Sequence, residues 1–547
     1  MKRLHTPLDV KQWLEEISTF SNEQRTGEST RGQLRTDSRQ VQAGDVFMAY
    51  PGKSHDARQF VQTVLDQGAR ACLVQGDVDA VSSNAMWMSA WGKDPRVALY
   101  PHLKAERGLL ASAYYECPSE HIKVSAITGT NGKTTCAWWL TQALAQLGCK
   151  SAMAGTLGQG VFKLASQTIE PVESLKAASS PLTTMEAVEL QQHLRAWADH
   201  GVTHLCIEAS SIGLQEGRMQ GTHIEVAVFT NFTQDHLDYH MTMDAYWAAK
   251  EILFDRMRPR VSVINLDDER GRALYARHKE SRKGVLGYSC DVKRHKDADL
   301  GARNIRTVTG RQALLGDVFS KAALSFDVVY QGRSHAFVLG VLGDFNVSNF
   351  LAVLGSLLAL GHPLEAAMNA CAKLTPPPGR MQTLGLAHAP MVVIDYAHTP
   401  DAIEKALLSL KTLTHELGGQ LWCVMGCGGD RDPSKRALMG AKVEALADRV
   451  MLTSDNPRSE DPVRIIAQIK EGFQKKLTPM VRVDRSEAIV QAIEEASIND
   501  VILIAGKGHE SYQEIQGVRR AFSDQGVALE ALKNKSQAAS KGVAHVN

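Results

Sequence analysis

Residues 124–135 read Val-Ser-Ala-Ile-Thr-Gly-Thr-Asn-Gly-Lys-Thr-Thr. The apolar run from Val124 to Ile127 has the character of a buried strand, Gly129 and Gly132 mark a turn, and Lys133 and Thr134 open a helical pattern. Glycines at such a corner let backbone N–H groups close around phosphate oxygens, and the helix N-terminus adds partial positive charge. In this geometry Lys133 reaches the outer phosphates and the Thr134 hydroxyl holds Mg²⁺. The loop is shorter than the general GxxxxGK(S/T) pattern, because Ile127 stands where the first glycine belongs.

Outward from this corner, short β-branched runs alternate with longer helical patterns. Strands are expected at 71–75, 203–207, 226–230, 261–265, 391–395, 421–425, 449–452 and 501–505. That alternation predicts α/β architecture with mainly parallel sheets covered by helices. A chain of 547 residues exceeds one ordinary core. Two seams divide it, Glu116-Cys-Pro-Ser-Glu120 and the triple proline Thr375-Pro-Pro-Pro-Gly379. The expected domains are residues 1–118, 119–375 and 376–535, followed by a small, polar, disordered tail at 536–547.

Composition excludes several partners. Formal net charge is +1, from 61 basic and 60 acidic residues, which gives no electrostatic reason to expect nucleic acid. No apolar run approaches the ~18–20 residues of a membrane span, and the N-terminus lacks a signal-peptide core. The nine cysteines include no CxxC pair; Cys423 and Cys427 come nearest. Reduced thiols and a cytoplasmic location are the expectation.

Further motifs follow the loop's pattern in order along the chain. They are Thr36-Asp-Ser-Arg39 with Gly44-Asp45, Glu208-Ala-Ser-Ser211, Thr230-Asn-Phe-Thr-Gln-Asp-His-Leu-Asp238, Ala248-Ala-Lys250, Phe345-Asn-Val-Ser-Asn349 and Gly379-Arg-Met381. Beyond them come Asp395-Tyr-Ala-His-Thr-Pro-Asp401, Gly426-Cys-Gly-Gly-Asp-Arg-Asp432, Asp455-Asn-Pro-Arg458 and Gly506-Lys-Gly-His-Glu510. Together with TGTNGKTT they resemble the Mur ligase family, and within it the members that add diaminopimelate. The resemblance implies an N-terminal α/β domain for the UDP end of a substrate, a central P-loop domain for ATP and a C-terminal Rossmann-like domain for the incoming amino acid. It implies a monomer that uses ATP and Mg²⁺ to join meso-diaminopimelate to UDP-N-acetylmuramoyl-L-alanyl-D-glutamate, with no nucleic acid or membrane insertion.

Site residues follow from the same resemblance. Lys133, His236, Lys250 and Arg380 are the expected catalytic set. Gly129, Thr130, Asn131, Gly132, Lys133, Thr134, Thr135, Asn346 and Asp395 are expected around ATP, with Thr134, Glu208, His236 and Lys250 as metal ligands. Lys250, which the helical pattern alone places on an exposed face, matches a carbamylated lysine; a carbamate offers Mg²⁺ an anionic oxygen where an ammonium repels it. Thr36, Ser38, Thr183, Thr184, Ser210, Glu216 and Arg218 are expected at the UDP-dipeptide. Ile212 replaces a histidine, Glu216 stands at a usual amide position, and 162–180 and the loop Lys53-Ser-His55 depart from the family pattern.

The choice of amino acid is expected to lie with Asp455, Asn456, Pro457 and Arg458, joined by Arg431, Gly506 and Glu510. Diaminopimelate differs from lysine by a distal carboxylate, which an arginine fork binds bidentately. A charge-assisted bond of this kind contributes roughly 1.5–3 kcal/mol. The alternatives are a lysine-adding or other Mur-type ligase, or a nucleotide-binding regulator without catalysis.

Overall fold

The computed structural model describes residues 2–22, 32–52, 55–76, 91, 93–172, 182–281, 284–309, 322–474 and 477–544. Lys53, Ser54 and the 173–180 part of the divergent segment lie outside them. Contacts divide the chain into two units. The first holds residues 1–126, 149–225 and 249–259, the second 127–148, 226–248 and 260–547, so the division runs inside segment 119–375.

In the first unit, five strands run in the order Lys2–Arg3, Val97–Leu99, Ala71–Val74, Val46–Ala49, Leu34–Arg35, every pairing parallel. Alternate residues of a strand point to opposite faces, so both faces need cover. Met48 and Leu73 accordingly pack with Trp13 on one side, while Phe47 and Cys72 pack with Val61 on the other. A further strand, His204–Glu208, pairs parallel with Ser151–Gly155, to which Gly158–Lys163 adds antiparallel. Glu208 thus ends a fully buried strand.

The second unit begins inside the strand Lys123–Thr128 and continues through the loop into the helix Lys133–Gln146. Val226–Phe229, Val261–Asn265, Val285–Ser289 and Leu300–Thr309 form a parallel run, extended antiparallel by Ala322–Tyr330 and Arg333–Leu339. A second sheet has the order Gln382–Leu384, Met391–Asp395, Val501–Ala505, Leu421–Met425, Arg449–Leu452, Met480–Val481, parallel except for its first pair. It too is covered on both faces: Val393, Cys423 and Leu503 join one core, Val392, Val424 and Ile502 the other.

Mixed α/β structure with parallel sheets is therefore as expected. The strands at 261–265, 391–395, 421–425, 449–452 and 501–505 form with those bounds; those at 71–75 and 226–230 end one residue earlier, and that at 203–207 is shifted by one residue to 204–208. The tail is a correction. The helix Asp524–Ala544 runs through most of the stretch expected to be disordered. Its anchor is the buried Ala528, Ala531 and Leu532, and alanine-rich sequence propagates a helix already nucleated by packing. All nine cysteines are free thiols. Among the described residues no helix is long and apolar enough to cross a membrane.

Candidate active site

The phosphate loop is built from backbone and held by its neighbours. Gly129 has φ +147°, and a Cβ there would come within 1.9 Å of Thr230 Oγ1. Ile127 is fully buried in the strand, which explains its replacement of the usual first glycine. Thr130 N donates to Asn231 O at 2.8 Å and Asn131 N to Asn231 Oδ1 at 2.9 Å. Thr230 Oγ1 donates back to Asn131 O at 2.6 Å. The Thr230-Asn231 motif is therefore the scaffold of the loop. Lys133 Nζ donates to the loop carbonyls Gly129 O at 2.9 Å and Thr130 O at 2.8 Å.

Beside the loop lies a cavity of about 360 Å³, lined by Asn131, Thr135, Asn346, Arg380, Asp395 and Lys405 among others. Arg380 Nη2 donates to Thr134 Oγ1 at 3.0 Å, across 246 positions of sequence. Its guanidinium stacks 4.5 Å from the Tyr396 ring centre, and its buried Nε has no hydrogen-bond acceptor among the described residues. Asp395 accepts from Met381 N at 2.8 Å; burial raises its carboxyl pKa, opposed by the charge of Arg380. Asn346 donates to Leu342 O at 2.7 Å and accepts from Asn349 at 2.9 Å. Backbone donors, a helix N-terminus, a lysine and an arginine with a spare buried donor suit a nucleoside triphosphate.

His236 takes a left-handed φ of 53° at the start of a short helix, and its side chain is 40% exposed. Burial works against the adjacent Asp235 carboxylate, yet His236, His398 and Lys435 hold its pKa at about 2. Two of the sequence motifs, the one that holds Asp235 and His236 and the one that holds His398, therefore meet around that carboxylate, joined by Lys435.

The expected UDP-dipeptide residues fall in the first unit. Thr184 Oγ1 donates to Glu208 O at 2.7 Å and lies 2.9 Å from Ser210 Oγ, which caps the next helix through Gly213 N. Thr183 Oγ1 is 3.4 Å from Thr156 Oγ1, and Thr156 donates from N and Oγ1 to the Glu208 carboxylate. Gly155 must be glycine, since a Cβ would lie 2.3 Å from Glu208 Oε1. Arg218 bonds Glu216 at 2.6 Å, Glu186 at 3.1 Å and Thr184 O at 3.0 Å. Glu216 thus neutralises Arg218, and Arg218 ties its own segment to Thr184 and Glu186. Arg107 meets the same pair, 3.4 Å from Glu186 and donating to Glu216 O at 2.8 Å. Thr36 hydrogen-bonds Tyr50, which feels the charges of Arg107 and Glu186. Ser38 opens the short turn Ser38–Gln40. Lys250 is 1% exposed, contrary to the exposed face its helical pattern suggested, because the helix Met243–Asp255 also buries Tyr246, Ala249, Leu253 and Phe254.

The loop after the strand Arg449–Leu452 is held by side chains. Asn456 donates to Glu510 Oε2 at 2.7 Å and accepts from Lys507 Nζ at 2.9 Å and Glu514 N at 2.9 Å. Lys507, fully buried, also bonds Glu510 at 2.9 Å. Gly506 leaves room for Asp455, whose Oδ2 would lie 2.3 Å from a Cβ. Arg458 has φ 51°, donates Nη1 to Gly429 O at 2.6 Å, and follows Pro457; Arg431 nearby is exposed. From Arg380 a line of contacts leads through Tyr396 to His509, 5.5 Å away between ring centres, and so to this cluster. Tyr396, Asp401 and Lys507 sat inside quoted motifs without a role; Thr156, Glu186 and Arg107 carried no sequence signal.

Residues 127–357 match the family model of the Mur ligase middle domain, and residues 379–508 that of the Mur ligase, glutamate ligase domain. The chain is 44% identical over 513 residues to the UDP-N-acetylmuramoyl-L-alanyl-D-glutamate–2,6-diaminopimelate ligase of an Acidovorax species, covering 92% of this chain and 95% of the relative. It is 36% identical to the protein of that name from Coxiella burnetii, covering 95% and 99%. A solved structure of a ligase with the same name superposes with a TM-score of 0.62 at 32% identity, over 95% of this chain and 99% of the other. The chain belongs to the Mur ligase family.

Proposed function

We propose that this protein is the ATP-dependent ligase that adds meso-diaminopimelate to UDP-N-acetylmuramoyl-L-alanyl-D-glutamate, a step of peptidoglycan precursor synthesis. The observation that carries the reading is the Arg380–Thr134 contact at 3.0 Å, which sets a guanidinium with a spare donor beside the glycine loop and its lysine. The full-length relatives of that name support the substrate choice.

A carboxylate is a poor electrophile with no leaving group. Its oxygen attacks the γ-phosphorus of ATP, ADP departs, and an acyl phosphate results. The amine then attacks the acyl carbon, phosphate leaves, and the nitrogen gives up its proton. Alignment and charge neutralisation supply the rate. The loop N–H groups and Lys133 hold the phosphates, and Arg380 stabilises the charge that moves onto them. Mg²⁺, when bound, neutralises phosphate oxygens; each unit carries proposed ligands, Thr134 and His236 in the second, Glu208 and Lys250 in the first. Burial of Lys250 supports its reaction as the neutral amine with CO₂, which forms the N–C bond of a carbamate and releases one proton.

In the first unit, Thr36, Ser38, Thr183, Thr184, Ser210, Glu216 and Arg218 are proposed to take the UDP-dipeptide, with Arg218 acting mainly as the brace of that surface. Arg458 and Arg431 are proposed for the distal carboxylate of diaminopimelate and Glu510 for an ammonium. The division into residues 1–118, 119–375 and 376–535 follows the same proposal. The test is phosphate release by purified protein with ATP, Mg²⁺ and UDP-dipeptide, with diaminopimelate and lysine in parallel. Release is expected only with dipeptide and diaminopimelate together. Equal release with lysine would overturn the substrate choice, and release independent of both acceptors would overturn the ligase reading.

A further inference from the structure

We propose that Asp401 is a positioning residue for ATP, acting on the phosphate loop through Asn131. The inference rests on the nucleotide reading of the cavity. Asn131 is the middle of the loop, between Gly129 and Gly132, and its backbone is fixed on both sides by Thr230 and Asn231. Its side-chain amide donates to Asp401 Oδ2 at 2.9 Å, joining positions 270 residues apart. The same oxygen accepts from Lys405 Nζ at 3.0 Å.

This trio has a physical logic. Asp401 lies in the first turn of the helix Pro400–Leu417, where Thr399 caps through Ala402 N and a carboxylate is favoured by the helix dipole. Asn131, Ala402 and Lys405 all line the cavity. A bare carboxylate so close to a triphosphate would repel it; Lys405, one helical turn along, cancels that charge. The acceptor on Asp401 holds the side-chain amide of Asn131, and through that residue the turn that leads into Gly132 and Lys133. Thr134 is linked to the same C-terminal segment by Arg380, so the loop and the helix it opens are each held once from that side. Arg380 is proposed to meet the phosphates itself. Asp401 works through Asn131.

The experiment uses the full chain, with calorimetric titration of a non-hydrolysable ATP analogue plus Mg²⁺ and steady-state kinetics for all three substrates. The variants are Asp401→Ala, Asp401→Asn, Asn131→Ala and the double Asn131→Ala/Asp401→Ala. Asp401→Ala is expected to weaken the analogue about tenfold and to raise KM for ATP by a similar factor, with the other two KM values unchanged. Asp401→Asn, whose amide oxygen still accepts, is expected to recover most of the affinity. The double variant is expected to bind no more weakly than Asn131→Ala, the signature of one shared interaction. Wild-type affinity in Asp401→Ala, full additivity in the double variant, or an equal rise in all three KM values would each overturn the proposal. Wild-type protein that ignored the analogue would instead overturn the nucleotide reading beneath it.

Discussion

The loop at residues 129–133 and the loop at residues 455–458 each follow a buried strand in the same unit, yet they are made of different material. The first is shaped by glycine: Gly129 and Gly132 take positive φ values, and the hydrogen bonds that fix it run largely through backbone atoms. The second has a positive φ of 51° at an arginine, a conformation unfavourable to a residue with a Cβ, and is built on side-chain bonds among Asn456, Lys507 and Glu510. A phosphate presents the same oxygens in every nucleotide, so a backbone cradle suffices. An amino acid is distinguished by where its charges sit, which only side chains can read. The contrast predicts that damage to the first loop lowers turnover with any acceptor, whereas damage to the second changes which acceptor is used.

The hardest test of that division is Lys133→Ala. Removing one preorganised cation from phosphoryl transfer is expected to lower kcat by about 10³-fold, equally with diaminopimelate and with lysine. Single-turnover phosphate release checks it, and a loss confined to one acceptor would erase the distinction. Next in size is Arg458→Ala, expected to cut kcat/KM for diaminopimelate about a hundredfold while leaving the low rate with lysine unchanged. Competition kinetics with both amino acids decides it. The smallest effect is expected from Lys507→Met, which deprives Asn456 and Glu510 of a buried donor without touching the guanidinium. KM for the amino acid should rise about tenfold with KM for ATP constant. A rise in both would mean that the contacts from Arg380 through Tyr396 to His509 bind the two loops into one functional body.

How much of the site could be read beforehand differs between the loops for the same reason. Residues 129–134 are neighbours in sequence, and glycine, lysine and threonine at fixed spacing state their own conformation. Asp455 to Arg458 read alone as a proline-containing turn; their partner Lys507 lies some fifty residues on and looks like an ordinary charged residue between glycines. Glu216 is expected at the substrate, and the structure adds a partner that no local pattern announces, Arg218 at 2.6 Å.

Sequence by itself determined the order of strands and helices and the strand–loop–helix corner at Lys133, because backbone preference and the alternation of apolar residues are set by near neighbours. Only the tertiary structure decided that Arg380 rests on Thr134, that Asn131 is held by Asp401, that Lys250 is buried and that the last helix continues to Ala544. Those outcomes depend on which faces pack together. A side chain's partner across two hundred residues is fixed by the geometry of packed elements, and that geometry is a property of the whole fold.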